Sequence, residues 1–479
     1  MVVGELRHGQ ITIIDRLRET VRLSEGLKKD GDLGKGARAR ALDCLSRFGE
    51  RLQDMHASSV RAAGTSALRR ARDSKRFLLE AEQALGHPIE VISGIEEGRL
   101  IFAGVRHSLP PHDGLRLVLD IGGGSTELIL GIGDTPKALE SLHLGCVAMT
   151  ERYFVGGRIS TSAFNAARVA ARLELRPVKA YFRDNAEMEA IGTSGTIISV
   201  VAVAGELGLT DNNELTASVV ETLIERVAEF DEIASLSLPG LSERRAQVWP
   251  GGLAILVELL KVLRISQLKV SDGALREGLL YDHLGRLRHE DARERTVRAM
   301  QARYNTDLAQ ATRVAKTALA LFENVRSTWI PDQELAGGML EWAAMLHEIG
   351  LDISHDGYQR HGAYIAANAD MPGFPQSQQK ILAYLIAGQR RSIGSGDRTQ
   401  LPADWREPAL KLAILLRLAV LLNRSRSTLD MPQVGLDVTD NSLQLTFSPN
   451  WLKSNPLTIA DLEREQKYLD SAGYSLSFS

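Results

Sequence analysis

The sequence predicts an α/β protein whose second half is helical. Up to about residue 284, short β-branched runs alternate with helical patterns, which is typical of α/β domains. From about 285 to 427 the strand patterns stop, and helical patterns follow at 306–323, 335–349, 376–388 and 408–423. After residue 428 a strand pattern returns at Leu443–Phe447. We therefore expect four domains, with the bounds 1–114, 115–284, 285–427 and 428–479.

The composition argues against several classes of protein. The 479 residues are 44% hydrophobic, which suits about three domains of ordinary size. Lys and Arg number 57 against 60 Asp and Glu, and no basic block stands out, so we expect no nucleic acid partner. Cys44 and Cys146 lack metal-site spacing, which argues against a disulfide framework and fits a reducing compartment. The N-terminus does not resemble a signal peptide, and Leu410–Leu422 is too short and too charged to span a membrane.

Before residue 114, predicted strands alternate with predicted helices. Two short strands lie within residues 1–16, with a turn at His8–Gly9, because β-branched runs flank turn residues there. Residues 36–55 form a helical pattern with one apolar face. The further elements are a strand at Val60–Ala63, a helix at about Ser74–Leu85, a strand at Pro88–Ile92 and a helix at Glu96–Val105.

The second predicted domain begins with an apolar strand, Leu115–Asp120, that runs into three glycines. The elements that follow are strands at Glu127–Gly131 and Ala138–Leu142, a helix at 161–176, a strand that enters the turn Gly192–Thr196, a helix at Leu253–Leu263 and a strand at Leu268–Ser271.

The two α/β domains share a faint repeat. Met1-Val2-Val3-Gly4, a turn and Ile11–Ile14 match Leu128–Gly131, a turn and the strand at Ala138. In the second copy the loop Asp120–Thr126 directly precedes the hairpin, whereas the first copy starts at Met1. We therefore expect the first domain to lack a matching loop.

The loop Asp120-Ile121-Gly122-Gly123-Gly124-Ser125-Thr126 has the composition of a phosphate site. Successive glycines let backbone N–H groups approach an anion, and two hydroxyl groups add donors. Asp120 ends a buried strand, where its carboxylate can hold Mg²⁺ directly or through water. A strand follows the loop, whereas dinucleotide-binding and Walker loops open helices. The pattern favours the strand–loop–strand phosphate cradle of actin-like ATPase folds, with a structural turn as the alternative.

Two further motifs carry candidate chemistry. Glu96 and Glu97 open a helix, where acids can simply complement the helix dipole. Phosphoryl transfer to water also needs a positioned base, which one of these acids would supply. Arg69 follows the glycine turn at Gly64–Thr65, and its planar guanidinium suits phosphate, with an ordinary surface arginine as an equal alternative.

Five ordered motifs resemble the exopolyphosphatase / guanosine pentaphosphate phosphohydrolase family, and bacterial exopolyphosphatases in particular. The motifs are Gly64–Arg69, Ile92–Glu97, Asp120–Glu127, Gly192–Thr196 and Ser271–Gly278. The stretch Leu236–Arg244 is also similar to the exopolyphosphatase pattern. The resemblance covers essentially the whole chain.

The resemblance implies an actin-like (ribonuclease H-like) two-lobed fold at 1–284, with lobe I at 1–114, lobe II at 115–284 and the site in their cleft. It implies Glu97 as the base that activates water and Asp120 as the second catalytic residue. Asp120 and Glu127 would bind Mg²⁺, with K⁺ as a second candidate ion. The implied phosphate-binding residues are Arg69, Gly122, Gly123, Gly124, Ser125, Gly192, Ser194 and Gly195.

The chain departs from the family pattern at its start. The family opens with an Asp-x-Gly-Ser-Asn-Ser loop before the first hairpin, and Met1 stands just past that position. We therefore expect an N-terminally truncated member whose lobe I lacks its first strand and its phosphate loop.

The helical domain resembles a decayed HD phosphohydrolase. His347-Glu348 stands where metal-binding members have His-Asp, and Gln310–Val314 replaces their leading His. A two-metal site without its first ligand is not expected to work. We expect His347, His355 and His361 to be hydrogen-bonded scaffold or polyanion contacts.

The resemblance favours an exopolyphosphatase. The floor of its cleft would carry four arginines, which would attract a long polyanion: Arg16, Arg18, Arg22 and Arg69. The alternatives are a guanosine pentaphosphate 5′-phosphatase, a phosphate- or alarmone-binding remnant without turnover, and an actin-like kinase, which lacks an evident sugar-site motif. We expect inorganic polyphosphate or guanosine pentaphosphate as the partner, a homodimer, and a cytoplasmic location, with a peripheral place at the inner membrane as the alternative.

Overall fold

The structure is a computed structural model of the chain. It describes residues 1–479 except 8–9, 20, 22, 28–29, 184–187, 211–213, 288–290, 331–332, 334, 392, 394–397 and 428–433, so the predicted turn at His8–Gly9 and Arg22 lie outside the described residues. The chain forms two compact units, unit 1 at Met1–Glu290 and unit 2 at Asp291–Ser479. Their boundary lies close to the predicted boundary at 284/285. The finer division into four domains stays a prediction.

Unit 1 contains every strand and helix that was predicted for it, together with helices that were not. Its elements are β1 (Val2–Arg7), β2 (Gln10–Arg16), α1 (Lys35–Leu52), β3 (Ala62–Gly64), α2 (Ser66–Arg70), α3 (Ser74–Leu85), β4 (Ile89–Val91), α4 (Gly94–Ser108), β5 (Leu115–Ile121), β6 (Thr126–Ile132), β7 (Thr135–Leu142), α5 (Cys146–Tyr153), α6 (Thr161–Leu175), α7 (Lys179–Phe182), β8 (Glu189–Thr193), α8 (Ser194–Glu206), α9 (Ala217–Val227), α10 (Glu243–Ala246), α11 (Trp249–Val262), β9 (Lys269–Val270) and α12 (Leu275–Leu287).

Lobe II is built on a five-stranded sheet with the order β7-β6-β5-β8-β9. The hairpin strands β6 and β7 run antiparallel to their neighbours, whereas β8 is parallel to β5 and β9 is parallel to β8. The central strand β5 is buried on both faces, which explains its continuous apolar sequence. Because parallel strands end at the same edge of a sheet, the loop after β5 and the start of α8 after β8 meet there.

Lobe I contains two separate two-stranded sheets. Strands β1 and β2 form an antiparallel hairpin, and β3 and β4 form a parallel pair. The pair β1-β2 corresponds to β6-β7 of lobe II, and the pair β3-β4 corresponds to β8-β9. In lobe II the strand β5 joins the two pairs, whereas none of the described strands joins them in lobe I. The expectation of a preceding strand and loop in this lobe stays a prediction.

Helices α4 and α12 pack at very short range because both carry glycine. A Cβ atom on Gly104 would lie 2.0 Å from the carbonyl oxygen of Ala274, and one on Gly278 would lie 1.8 Å from that of Leu100. The family-like motif Ser271–Gly278 therefore serves this helix contact. Since α4 begins at Gly94, the contact also positions the first turn of α4.

A buried ionic network ties α12 to α4. Asp282 accepts a hydrogen bond from Nη2 of Arg99 at 2.6 Å and a second one from Arg61. Arg99 also donates from Nε to Glu96 at 2.7 Å. These arginines outweigh the effect of burial and hold the pKa of Asp282 well below its usual range. Glu96 therefore has a structural role.

Unit 2 is mainly helical and has one continuous hydrophobic core, from Val297 to Leu476. Its elements are α13 (Ala292–Arg303), α14 (Leu308–Trp329), α15 (Ala336–Met345), α16 (Tyr358–Asn368), α17 (Gln376–Gly388), α18 (Arg406–Leu422), β10 (Gly435–Thr439), β11 (Ser442–Thr446), α19 (Pro456–Asp470) and β12 (Ser475–Phe478). The strands form a sheet of order β10-β11-β12, which shares this core with the helices. None of the described helices is both long enough and apolar enough to cross a membrane.

We predict that Asp282→Asn destabilises the chain by about 3–5 kcal/mol, because it leaves buried arginines without their shared carboxylate. Urea unfolding followed by circular dichroism measures this free energy. The matched control is Asp134→Asn, which removes the exposed partner of Arg106 and should cost less than about 1 kcal/mol. Equal costs for the two variants would contradict the structural role of the network.

Candidate active site

Three carboxylates from different elements are buried close together in unit 1. Glu97 lies in the first turn of α4, Asp120 near the end of β5 and Glu127 on β6, and their residues are 8%, 7% and 1% exposed. Asp120 and Glu127 are directly opposite each other in the antiparallel pair. The structure thus brings together the predicted base and both predicted metal ligands.

Glu97 is held by hydrogen bonds from lobe I. Nη1 of Arg69 donates to Oε2 of Glu97 at 2.9 Å and to the carbonyl oxygen of Ile92 at 2.9 Å. The Thr65 side chain also hydrogen-bonds to Glu97. Burial raises the pKa of Glu97, and Arg69 and Thr65 offset part of that rise. Arg69 was predicted to grip phosphate, and in this structure it holds the predicted base.

The other two carboxyl groups are strongly perturbed. Burial, followed by repulsion from Glu97, raises the pKa of Asp120 to about 7. Burial and repulsion from both Glu97 and Asp120 raise the pKa of Glu127 well above its usual value. Hydroxyl groups offset part of these rises, since Ser141 Oγ donates to Glu127 Oε1 at 2.9 Å and Ser125 also hydrogen-bonds to Glu127.

The loop between β5 and β6 is a tight turn supported from behind by α5. The N–H group of Gly122 donates to the carbonyl oxygen of Ser125 at 2.9 Å. The carbonyl oxygens of Gly122 and Gly123 accept from the first amides of α5 at 2.9 and 3.1 Å. Among the described contacts, the N–H groups of Gly123 and Gly124 donate no hydrogen bond, so they are available to an anion.

Close packing requires glycine in this region. A Cβ atom on Gly124 would lie 2.9 Å from Ser66 Oγ, and one on Gly145 would lie 2.2 Å from the carbonyl oxygen of Gly123. None of the three glycines in the loop has a positive φ angle. Glycine at 124 and at 145 therefore lets α2 and α5 approach the loop.

The start of α8 forms the neighbouring wall of the site. Ser194 has a φ angle of 76°, a strained conformation for a non-glycine residue. Its Oγ donates to the carbonyl oxygen of Ile121 at 3.0 Å and lies within hydrogen-bonding reach of Asp120. The segment Gly192–Thr196 was read as a turn, and the structure shows the end of β8 passing directly into a helix. Helix N-termini favour anions.

Arg245 is a site residue that the sequence analysis missed. A Cβ atom on Gly195 would lie 1.5 Å from Nη2 of Arg245, so the guanidinium lies against that glycine at the start of α8. Burial, followed by repulsion from Arg18 and Arg244, lowers its pKa. Arg245 directly follows the stretch Leu236–Arg244, which is similar to the family pattern. Thr65 lies inside the motif Gly64–Arg69, whereas nothing in the sequence marks Ser141 beyond its place in a predicted strand.

Some predicted residues lie elsewhere. Gly192 is inside β8, where a Cβ atom would be 2.7 Å from a methyl carbon of Ile197, so this position is a packing contact. Arg16 reaches Glu277 at 3.6 Å, and its predicted place in the cleft stays a prediction. Arg18 does lie near Arg245.

Two of the carboxylates fit a magnesium ion whose remaining ligands come from phosphate and water. In the described part of the chain, no three His, Cys, Asp or Glu side chains converge as metal ligands do. Mg²⁺, however, usually binds through one or two carboxylates together with substrate phosphates and water. Asp120 and Glu127 supply such a pair, and their mutual repulsion favours a nearby cation.

Family models match both units. The model described as "Ppx/GppA phosphatase family" matches residues 2–287, and "Ppx/GppA phosphatase, domain III" matches residues 292–466. The chain belongs to the Ppx/GppA phosphatase family. The predicted family, the actin-like two-lobed fold and the class of phosphoanhydride hydrolase are confirmed. The predicted truncation stays a prediction.

Curated relatives match along nearly the whole chain. A guanosine-5′-triphosphate,3′-diphosphate pyrophosphatase from Vibrio atlanticus (strain LGP32) is 37% identical over 478 residues, which is 98% of this chain and 94% of that protein. The protein of the same name from Pseudoalteromonas translucida (strain TAC 125) is 37% identical over 479 residues, 99% of this chain and 95% of that protein.

Solved structures share the fold over a smaller part of the chain. The Ppx/GppA family member from Aquifex aeolicus is 26% identical with a TM-score of 0.50, and the match covers 59% of this chain and 92% of that one. An exopolyphosphatase from Cytophaga hutchinsonii is 24% identical with a TM-score of 0.53. The match covers 59% of this chain and 93% of that chain, and it supports only the fold.

We predict that the contribution of Asp120 to the free energy of unfolding of the metal-free chain falls as the pH rises from about 4 to 7. Over this range folded Asp120 keeps a proton that the unfolded chain has lost, so raising the pH favours unfolding. Asp120→Asn removes this effect. The change in the free energy of unfolding across this pH range should therefore differ between the variant and the unsubstituted chain by on the order of 2–4 kcal/mol. Urea unfolding in EDTA buffers at pH 5 and pH 8 measures the difference.

The control for this experiment is Asp113→Asn, an exposed residue just before β5. Its profile should follow that of the unsubstituted chain. If the Asp120→Asn profile also runs parallel to that of the unsubstituted chain, Asp120 has an ordinary pKa and the buried cluster is wrongly described.

Proposed function

We propose that the chain removes the terminal 5′ phosphate of guanosine-5′-triphosphate,3′-diphosphate by attack of water, with Glu97 as the general base. The observation that carries this proposal is the buried cluster of Glu97, Asp120 and Glu127 beside the loop with free N–H groups. The two near-full-length relatives are named for activity on this compound, which supports the choice of substrate. Polyphosphate, which the sequence analysis favoured, becomes the second candidate.

Glu97 has the properties that a base needs. Its raised pKa strengthens it as a proton acceptor, while Arg69 keeps enough of it ionised to accept a proton from water. The hydrogen bonds from Arg69 and Thr65 fix its orientation. A base placed beside a bound phosphate can therefore deprotonate or orient the attacking water.

The phosphate end of the substrate would lie against the loop and α8. The free N–H groups of Gly123 and Gly124 would donate to phosphate oxygens. Ser125, the next residue of the loop, would lie beside the same phosphate group. Arg245, which has no carboxylate partner among the described residues, would bind a second phosphate at the start of α8.

Asp120 and Glu127 would hold Mg²⁺ in this arrangement. When bound, the ion would supply positive charge that balances the phosphate oxygens and the two carboxylates. The ion would also stabilise the ionised form of Asp120, which burial and Glu97 disfavour. The expectation of K⁺ stays a prediction, as do the homodimer and the cellular location.

Long-chain polyphosphate is the second candidate substrate because of one observation. Arg18 and Arg244 each lie close enough to Arg245 to lower its pKa, so positive charge gathers around Arg245 at the start of α8. Such a surface attracts an extended polyanion as well as a compact one.

We predict that Glu97→Gln lowers kcat by about 10²–10⁴-fold with little change in KM, because the amide keeps the shape but cannot accept the proton. Phosphate release from guanosine pentaphosphate measures both constants. The adjacent Glu96→Gln is the matched control, since it should reduce stability through the Arg61 and Arg99 network and leave kcat within about threefold. Full turnover of Glu97→Gln would remove Glu97 as the base.

We predict that the unsubstituted chain has a kcat/KM for guanosine pentaphosphate at least about tenfold above that for long-chain polyphosphate. Side-by-side initial rates at equal Mg²⁺ concentration, counted per chain end, measure the ratio. The reverse ratio would favour the exopolyphosphatase. Tight binding of either compound without release of phosphate would instead identify a binding remnant.

A further inference from the structure

Unit 2 contains a positively charged cavity of about 380 Å³, which no function above uses. This volume falls in the range of small-molecule sites, about 300–1,000 Å³. Six arginines and three carboxylates line it. The arginines include Arg390, Arg426 and Arg464, and the carboxylates include Glu348.

Three buried side chains in the cavity wall each keep an unused acceptor. His347 is 1% exposed and its Nδ1 donates to the carbonyl oxygen of Ala344 at 2.7 Å, which leaves Nε2 as an acceptor on a neutral ring. Gln389 donates from Nε2 to the carbonyl oxygen of His347 at 2.6 Å, which leaves Oε1. Oε1 of Glu348 accepts from Arg426, which leaves Oε2.

These acceptors need a donor from outside the protein. Nε2 of His347, Oε1 of Gln389 and Oε2 of Glu348 have no hydrogen-bond partner in the part of the chain that the structure describes. A buried acceptor without a partner costs about 1–3 kcal/mol. A ligand that brings O–H or N–H groups into the cavity would recover this cost.

Part of the positive charge is also unbalanced. Arg417 forms two hydrogen bonds with Glu465, at 2.6 and 2.9 Å, and Arg424 donates to Asp461 at 2.6 Å. By contrast, Arg390 and Arg464 form no direct salt bridge with a carboxylate among the described residues. Arg390 lies near enough to Glu348 to lower the pKa of that carboxyl, and it hydrogen-bonds to Tyr358. The guanidinium of Arg390 lies over the ring of Tyr358, 5.3 Å from its centre. Such arginine forks suit the oxygens of a phosphate group.

A pair of metal ions does not fit this cavity. Gln310, which replaces the leading His of metal-binding HD domains, is already satisfied, since it donates to the carbonyl oxygen of Asn423 at 2.9 Å and accepts from Arg313 at 2.9 Å. The surplus of arginines also disfavours cations. The expectation of a decayed metal site stays a prediction.

We propose that this cavity is a second ligand site, for a small phosphomonoester that also carries O–H or N–H donors, such as a nucleotide or a sugar phosphate. Arg390 and Arg464 would bind the phosphate, and the acceptors of His347, Glu348 and Gln389 would bind the donors. The site lies wholly within unit 2 and is independent of the chemistry proposed for unit 1.

The test uses the full chain with guanosine 5′-monophosphate, ribose 5-phosphate and inorganic phosphate as probes. Calorimetry gives each affinity, and hydrogen–deuterium exchange locates each site. We expect one or both organic probes to protect the amides of 345–351 and 388–391, and to bind at least about tenfold more tightly than inorganic phosphate. Protection by guanosine 5′-monophosphate alone identifies a nucleotide site, and protection by ribose 5-phosphate as well identifies a site for the shared sugar phosphate.

The variant Arg464→Ala should weaken this binding by about tenfold, because it removes an exposed guanidinium that would bind the phosphate. Lys467→Ala removes the same charge from an exposed position of the same helix outside the cavity and should change the affinity less than twofold. Absence of protection in both segments, equal affinity for inorganic phosphate, or equal effects of the two variants would each overturn the proposal.

Discussion

Mutual repulsion among buried carboxylates is the constraint on which unit 1 depends. In this buried region the charge of Glu97 raises the pKa of Asp120. The charges of Glu97 and Asp120 together raise the pKa of Glu127. Arg69 and the hydroxyls of nearby serines offset only part of this cost. Apolar residues of similar size often stabilise a fold more than buried charges do. The cluster is therefore best explained by what it would bind, a cation and a phosphate group.

The position of the base depends on packing that lies outside the site. Glu96 and Glu97 are neighbours in the first turn of α4, yet Glu96 faces the arginines that tie α4 to α12, and Glu97 faces Arg69 and the other two carboxylates. The close contact at Gly104 and Gly278 holds the two helices together at the distance this network requires. One turn of helix thus joins the scaffold to the chemistry, which explains why two adjacent acids differ in function.

Strong apolar periodicity allowed much of the fold to be predicted. Helix α3 and helix α17 have the predicted bounds, and the five strands of lobe II appear in the predicted order. Helix α8 was missed because a glycine turn was inferred at its start, where Ser194 has a strained φ angle. Helix α13 was missed because its residues are mostly polar and carry little periodic signal.

The site was predicted in its residues but not in all of its contacts. The family-like motifs named the three carboxylates, because each follows a recognisable strand or glycine turn. They could not show that Arg69 holds Glu97, since that contact depends on side-chain directions in two separate elements. Arg245 comes from a segment about fifty residues after Gly195, and its approach depends on how α8 and α10 pack.

The central claim is that water, positioned by Glu97, attacks the terminal phosphorus. Hydrolysis of guanosine pentaphosphate in ¹⁸O-labelled water, in a single turnover and with mass analysis of both products, tests this claim most directly. The account predicts one labelled oxygen in the released phosphate and none in the guanosine tetraphosphate. Label in the nucleotide, or release of labelled pyrophosphate, would contradict it.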